Sequence, residues 1–145
     1  MTPQQNYANH RRIDPMYHFG LTLITLAVLI GSIIHLIRAV AGGEDVWPAV
    51  LLVLIGVLAS FYFLYIRGNA LKAQDRAIRA EENLRHYILT GKRLDPRLTI
   101  HQIVALRFAG DDEFPALAAQ AAEERIRTDD IKKAIREWRP DWHRV

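Results

Sequence analysis

Two histidines bracket the most apolar stretch of the chain, His18 and His35 in "YHFGLTLITLAVLIGSIIHLIR", Tyr17 to Arg38. An imidazole on an apolar helix can serve as axial ligand to a haem or a chlorophyll-type pigment. The spacing restricts that chemistry. Seventeen positions turn the two side chains about 100° apart and set them ~25 Å apart along a helix axis, so one macrocycle cannot take both. The second apolar stretch, Val46 to Ile66, has no histidine, so a bis-histidine haem needs a second copy or a foreign helix. One histidine is enough for a chlorophyll-type or five-coordinate macrocycle. The plainer role is preferred: His18 sits among Tyr17 and Phe19 at headgroup level, His35 lies a turn from the other end beside Arg38, and both are polar anchors. His35 and His18 remain the candidate cofactor ligands.

Other chemistry is sparse. Asp111, Asp112 and Glu113 offer carboxylates to a divalent cation, but neighbouring helix residues point in different directions. Capping a helix N-terminus is the simpler use of them. His86, His101 and His143 are scattered and read as surface or packing residues. There is no cysteine, which excludes disulfides, thiolate catalysis, iron–sulfur clusters and cysteine-ligated zinc. No glycine-rich phosphate loop, Gly-x-Ser-x-Gly or His-Glu-x-x-His occurs. The expectation is a protein that is not an enzyme.

The elements that carry these residues are legible. Phe19 to Ile37 holds no Asp, Glu, Lys or Arg, and Val46 to Ile66 no ionisable side chain except tyrosine. As helices these stretches are roughly 28 and 32 Å long, the thickness of a bilayer's hydrocarbon core. Lys and Arg are richer outside the two stretches than in the loop between them, where Arg38 meets Glu44 and Asp45. That bias puts both termini in the cytoplasm. Gly42-Gly43 suits the intervening turn, and Pro48 the first turn of the second helix. Trp47, Tyr62 and Tyr65 fit interfacial depths. The first stretch does not read as a cleaved signal peptide: it is too long, and Arg38 abuts the small-x-small Ala39-Val40-Ala41. Small residues four apart, Ala27 with Gly31 and Gly56 with Ser60, predict close helix packing. They join the two spans as a hairpin or serve a partner subunit.

Past Ile66 the second helix continues to about Leu89. Ala70, Ala73, Ala77, Ala80, Leu84 and Tyr87 alternate three and four apart, a heptad-like seam. It packs on the C-terminal helices or on a partner's helix. Asp75–Arg79 and Glu81–Arg85 are spaced as helix ion pairs on the other faces. Gly91 stops the helix and Pro96 marks a turn. Thr99 with Gln102 forms a capping-box signature, and Gly110 closes that short helix. A further helix opens at the acidic triplet, and Thr128 caps a last one before the tail "WRPDWHRV". Residues 91–145 hold 11 Lys/Arg and 10 Asp/Glu, too balanced for a nucleic-acid reader.

Four stretches together carry a resemblance: "NYANHRRIDPMYHF", "LKAQDRAIRAEENLR", "IVALRFAGDDEFPAL" and "IKKAIREWRPDWHRV". The chain resembles an uncharacterised family of small bacterial membrane proteins with two spans, a domain of unknown function. The resemblance implies a bacterial cytoplasmic membrane and brings no activity, cofactor or site residue. From the residues themselves, Arg79, Glu81, Glu82, Arg107, Asp111 and Arg139 are candidates for a charged network binding arm, stalk and tail. Trp138, Arg139 and Trp142 form the interface of that tail.

The expected architecture is all-α: an N-terminal arm (1–16), a transmembrane hairpin (17–38 and 47–66, joined by 39–46), a cytoplasmic stalk (67–90) and a small three-helix region (91–145). The expected role is a non-enzymatic accessory or scaffold subunit of a larger membrane assembly, respiratory or photosynthetic, that contacts other membrane subunits and lipid headgroups. The alternatives are a pigment- or haem-binding subunit and a self-associating homo-oligomeric sensor or regulator.

Overall fold

A computed structural model describes residues 5–10 and 13–141. Arg11, Arg12, Trp142 and His143 lie outside them. The chain is all-helical: a π-helical turn Met16–Leu21 leads into α1 (Thr22–Gly42), followed by α2 (Trp47–Thr90), α3 (Ile100–Leu106), α4 (Phe114–Glu123) and α5 (Thr128–Ala134). Among the described residues there is no strand, only an isolated antiparallel bridge between Ala109 and Trp138. Helix α2 has 44 residues and includes Gly68. The chain divides into two compact units, 13–69 and the N-terminal segment together with everything from Ala70 onward.

The first unit is a helical hairpin. On α1 the shielded positions are Thr22, Thr25, Leu29, Ser32, Leu36 and Ala39, and on α2 they are Ala49, Val53, Gly56, Ser60 and Phe63, with Val50 partly shielded beside Ala49. Both sets alternate three and four, the pattern of a two-helix seam. A Cβ on Gly56 would stand 3.4 Å from the Leu29 backbone and 3.4 Å from Ser32 Oγ, which marks the close approach. The two seam hydroxyls bond their own helices, Ser32 Oγ to Leu29 O and Ser60 Oγ to Gly56 O, both at 2.8 Å. They therefore leave no polar group bare in an apolar contact. Ala27 and Gly31 lie on the exposed side of α1, with nothing near the Gly31 Cβ position. Of the four small residues, the hairpin thus uses Gly56 and Ser60. On α1 Ser32 and Ala39 take the role, because the seam there is also built of small residues.

Backbone signals end the helices. Gly43 adopts φ +68°, and Glu44 N and Gly43 N return to the carbonyls of Ala39 and Val40, a Schellman termination. Asp45 accepts from Trp47 N to start α2. Asp14 accepts from Met16 N and Tyr17 N and so opens the first helical segment. Tyr17 then clips the hairpin: its hydroxyl donates to Phe63 O at 2.7 Å, its ring stacks on Phe63, and the Arg67 guanidinium covers it at 4.9 Å.

In the second unit, α3, α4 and α5 close a small core around Leu94, Leu98, Ile103, Leu106, Phe108 and Phe114. Gly91 (φ +71°) ends α2. The His86 imidazole pins that end by donating from Nδ1 to Lys92 O at 2.8 Å. Thr99 and Gln102 complete the capping box of α3, and Gln102 Nε2 also donates to Ala121 O and Ile126 O, tying α3 to the far end of α4. Three local expectations shift. Helix α3 ends at Leu106 rather than Gly110. Thr128 is the first residue of α5 rather than its cap, since Arg127 holds the extended cap position. Helix α5 stops at Ala134 because Ile135 turns to extended backbone, and residues 136–141 continue without helix.

The Asp95-Pro96-Arg97-Leu98 turn closes on Leu98 N to Asp95 O at 3.1 Å. Arg97 donates to the Asp95 carboxylate from both side chain and backbone, which holds that carboxyl at about 2, below its usual 3.8. A pKa lowered by folding stabilises the turn above the usual carboxylate range and is lost as pH falls towards 2. Carboxyl-carbon NMR should find the Asp95 midpoint near 2 and, in Arg97→Ala, back towards 3.8. For the hairpin, Gly56→Leu should lower thermal stability in detergent by about 1–3 kcal/mol through overpacking. Gly56→Ala and Gly31→Leu should melt like the parent.

Candidate functional site

The polar residues of the second unit converge where α2, the segment after α3, the tail and the N-terminal arm meet. Helix α2 supplies Ile78, Glu82 and Arg85 on one face. Glu82 is only 4% exposed, unusual for a carboxylate unless it is paired. Arg85 answers it, with Nη1 at 2.9 Å from Glu82 Oε2. The same guanidinium donates to Asp111 Oδ1 and Ala109 O, both at 2.7 Å, and lies 4.4 Å over the Phe114 ring. Arg139, half exposed, reaches Glu82 Oε1 at 3.5 Å. The tail is held by its backbone too. Arg139 N donates to Phe108 O at 2.8 Å and Gly110 N to Glu137 O at 2.9 Å. A Cβ on Gly110 would press on Glu137 at 3.3 Å, so the glycine lets the two segments cross closely. Glu113 accepts the N–H groups of Arg136 and Glu137.

The arm completes the cluster. Gln5 is 1% exposed, and its Oε1 accepts from Asp141 N at 2.8 Å. Asp141 in turn binds Arg107 Nε at 3.0 Å, and the Arg107 guanidinium lies 4.6 Å over Phe108. The His10 ring packs against Tyr7, Phe108 and Trp138. Its Nδ1–H donates to Tyr7 O at 2.6 Å, which leaves Nε2 to accept from Lys132 Nζ at 3.2 Å. That tautomer is required, because a carbonyl can only accept.

Of the six residues expected in a charged network, Glu82, Arg107, Asp111 and Arg139 belong to it. Arg79 and Glu81 are exposed on other sides of α2. Arg85, read as a surface partner of Glu81, is the hub instead, paired with Glu82 and Asp111. Asp111 and Glu113 hold the stalk and the tail rather than capping α4, whose N-cap makes no side-chain bond. Trp138 buries against Phe108 and His10 rather than on the stalk, and Trp142 is outside the described residues. Gln5, His10, Lys132 and Asp141 were not singled out from sequence. The density of polar and aromatic residues in "NYANH" is the signal for His10, and Lys132 and Asp141 lie in the stretch "IKKAIREWRPDWHRV".

The stalk seam lies elsewhere. Ala70 is half-buried, while Ala73, Ala77 and Ala80 are exposed, Leu84 is 60% exposed and Tyr87 56%. Of the two expectations, packing on the chain's own helices is not what these residues do. The bundle uses the face of Ile78, Glu82 and Arg85 instead.

The candidate ligands remain apart. His18 is half-buried beside the Tyr17 ring, and its Nδ1–H donates to Asp14 O at 2.8 Å. His35 is exposed on α1. Among the described residues no group of three or more His, Asp or Glu side chains could hold a metal ion.

Chemically, the cluster neutralises buried charges and ties the ends of the chain to α2. Arg85→Ala would leave the Glu82 carboxylate buried with only the half-exposed Arg139 beside it at 3.5 Å, which costs about 3 kcal/mol. Arg139→Ala removes a largely solvated partner and costs at most about 1 kcal/mol. Thermal melts of the full-length protein in detergent should show this order, with Arg85→Ala the large loss.

One comparison places the chain. No curated protein and no solved structure matches it. The model of a family of unknown function (DUF6526) matches residues 1–145. The chain belongs to that family.

Proposed function

We propose that this protein is a non-enzymatic scaffold or accessory subunit of a membrane assembly in the bacterial cytoplasmic membrane. The hairpin crosses the bilayer twice with both termini in the cytoplasm, and the second unit is the cytoplasmic surface offered to other subunits. The observation that carries this reading is the outward apolar character of the hairpin. The most apolar 18-residue stretches of its two long helices are only 6% and 11% buried, whereas a core helix of a soluble protein would be mostly enclosed. The flanking charge bias supports the orientation. The converging polar groups of the second unit are spent on one another, in ion pairs and backbone bonds that hold the arm and tail, which suits a rigid docking element better than a reacting centre.

A second reading rests on His18. Its Nδ1–H is committed to Asp14 O, the arrangement that fixes a histidine with Nε2 available as a ligand. On that reading the subunit carries a haem or a chlorophyll-type pigment, with His35 as the other candidate.

Untagged protein isolated in mild detergent decides between them. The scaffold reading expects a membrane-fraction protein that brings defined partner subunits with it, is itself colourless, and has the tail end protease-accessible only from the cytoplasmic side of sealed vesicles. A visible absorption band lost in His18→Ala or His35→Ala would favour the pigment reading. Recovery in the soluble fraction would overturn both.

A further inference from the structure

The exposed seam of α2 has an order that a merely solvated helix face does not need. In heptad terms Ala70, Ala77 and Leu84 take position a, and Ala73, Ala80 and Tyr87 take position d. The face toward the chain's own bundle is centred on Ile78, Glu82 and Arg85, at positions b and f, and Asn83 at position g also accepts from Leu94 N at 3.3 Å. From Ala73 onward the a and d positions are exposed, with Leu84 and Tyr87 bordering Leu94 and Ala77 bordering the tail. Leu84 and Tyr87, at 60% and 56% exposure, are the largest unburied side chains on the seam. Alanine knobs allow close approach, so the partner must be another smooth helix.

The flanks identify which helix. Arg76 takes position g and Glu81 position e, both exposed. In a parallel two-stranded coil a g residue faces the e residue five positions further along the other strand. Two copies of this chain aligned in register set Arg76 of each against Glu81 of the other, two ion pairs in all. A fully overlapped antiparallel pair sets Arg76 against Asn83 and Glu81 against Gln74, with no ion pair. We propose that this seam is a homodimer interface: two copies of the chain associate through Ala73, Ala77, Ala80, Leu84 and Tyr87 as a parallel coiled coil, with Arg76 and Glu81 fixing its register. Insertion of both copies in one membrane with one orientation also makes their α2 helices parallel. That last support rests on the membrane reading, whereas the seam and its charges do not.

The absence of cysteine makes the test clean. Single variants Ala73→Cys and Leu84→Cys of the full chain, in detergent and in vesicles, should each oxidise rapidly to disulfide-linked dimers. Lys72→Cys and Arg79→Cys, at position c, should not. Arg76→Glu and Glu81→Arg alone should each raise the dimer dissociation constant about tenfold, and the combined reversal should restore it. Preferential linkage of mixed Ala73→Cys and Leu84→Cys chains over either variant alone, linkage at the c positions as fast as at the seam, or a strictly monomeric chain by native mass spectrometry would overturn the proposal. Recovery of a soluble dimer would sink the scaffold reading and leave this one standing.

Discussion

On the proposed membrane reading, helix α2 meets two different surroundings with one continuous helix, and much of the structure follows from that demand. A 44-residue helix keeps its backbone groups paired internally along its whole length, so only side chains can register a change of environment. They do so around Arg67. Before it, Ala49, Val53, Gly56, Ser60 and Phe63 form a thin packed seam, and almost everything else is apolar and outward. After it, the shielded face passes to Ile78, Glu82 and Arg85, and the remaining surface is charged or small. The Arg67 guanidinium sits at the changeover, over the Tyr17 ring.

The consequence for the second unit is a buried carboxylate. Glu82 can lie against the bundle only because Arg85, one turn on, carries its counter-charge into the same place and shares it with Asp111. Desolvating such a pair is costly, and the arrangement persists because the guanidinium's other donors are satisfied by Ala109 O and Asp111. The same few residues recruit the tail through Arg139 and, through Asp141 and Gln5, the arm. Distant parts of the chain are thereby fixed to one helix face, and the opposite face remains outward.

Local signals were readable from the sequence, and long-range ones much less so. The two apolar helices, the glycine stops at Gly43 and Gly91 and the Thr99–Gln102 capping box are short-range effects of composition and backbone conformation. The Ala70–Tyr87 seam was equally visible, but its packing partner was not. A hydropathy pattern assigns the bundle to the apolar face, whereas α3 to α5 chose the face of Glu82 and Arg85, whose burial depends on each other and on Asp111, 26 positions beyond Arg85. Ala27 and Gly31 show the same limit. A small-residue motif permits close contact without saying with what, and Ser32 and Ala39 offered α2 an equally smooth face. The acidic triplet satisfied a capping rule on paper while Asp111 and Glu113 were drawn to tertiary partners. Gln5 and His10 had no periodicity to betray them.

The central claim is that α2 is one helix in two solvents. A cysteine scan of positions 47–90 in sealed inverted vesicles, read with a membrane-impermeant maleimide, tests it most directly. The account predicts protection on every face from Leu51 to Ile66. Beyond Arg67 it predicts one-sided protection, with Lys72 and Arg79 labelled and Ile78 and Glu82 shielded. One-sided protection running unchanged through both halves would mean that the whole helix sits in water, and would contradict it.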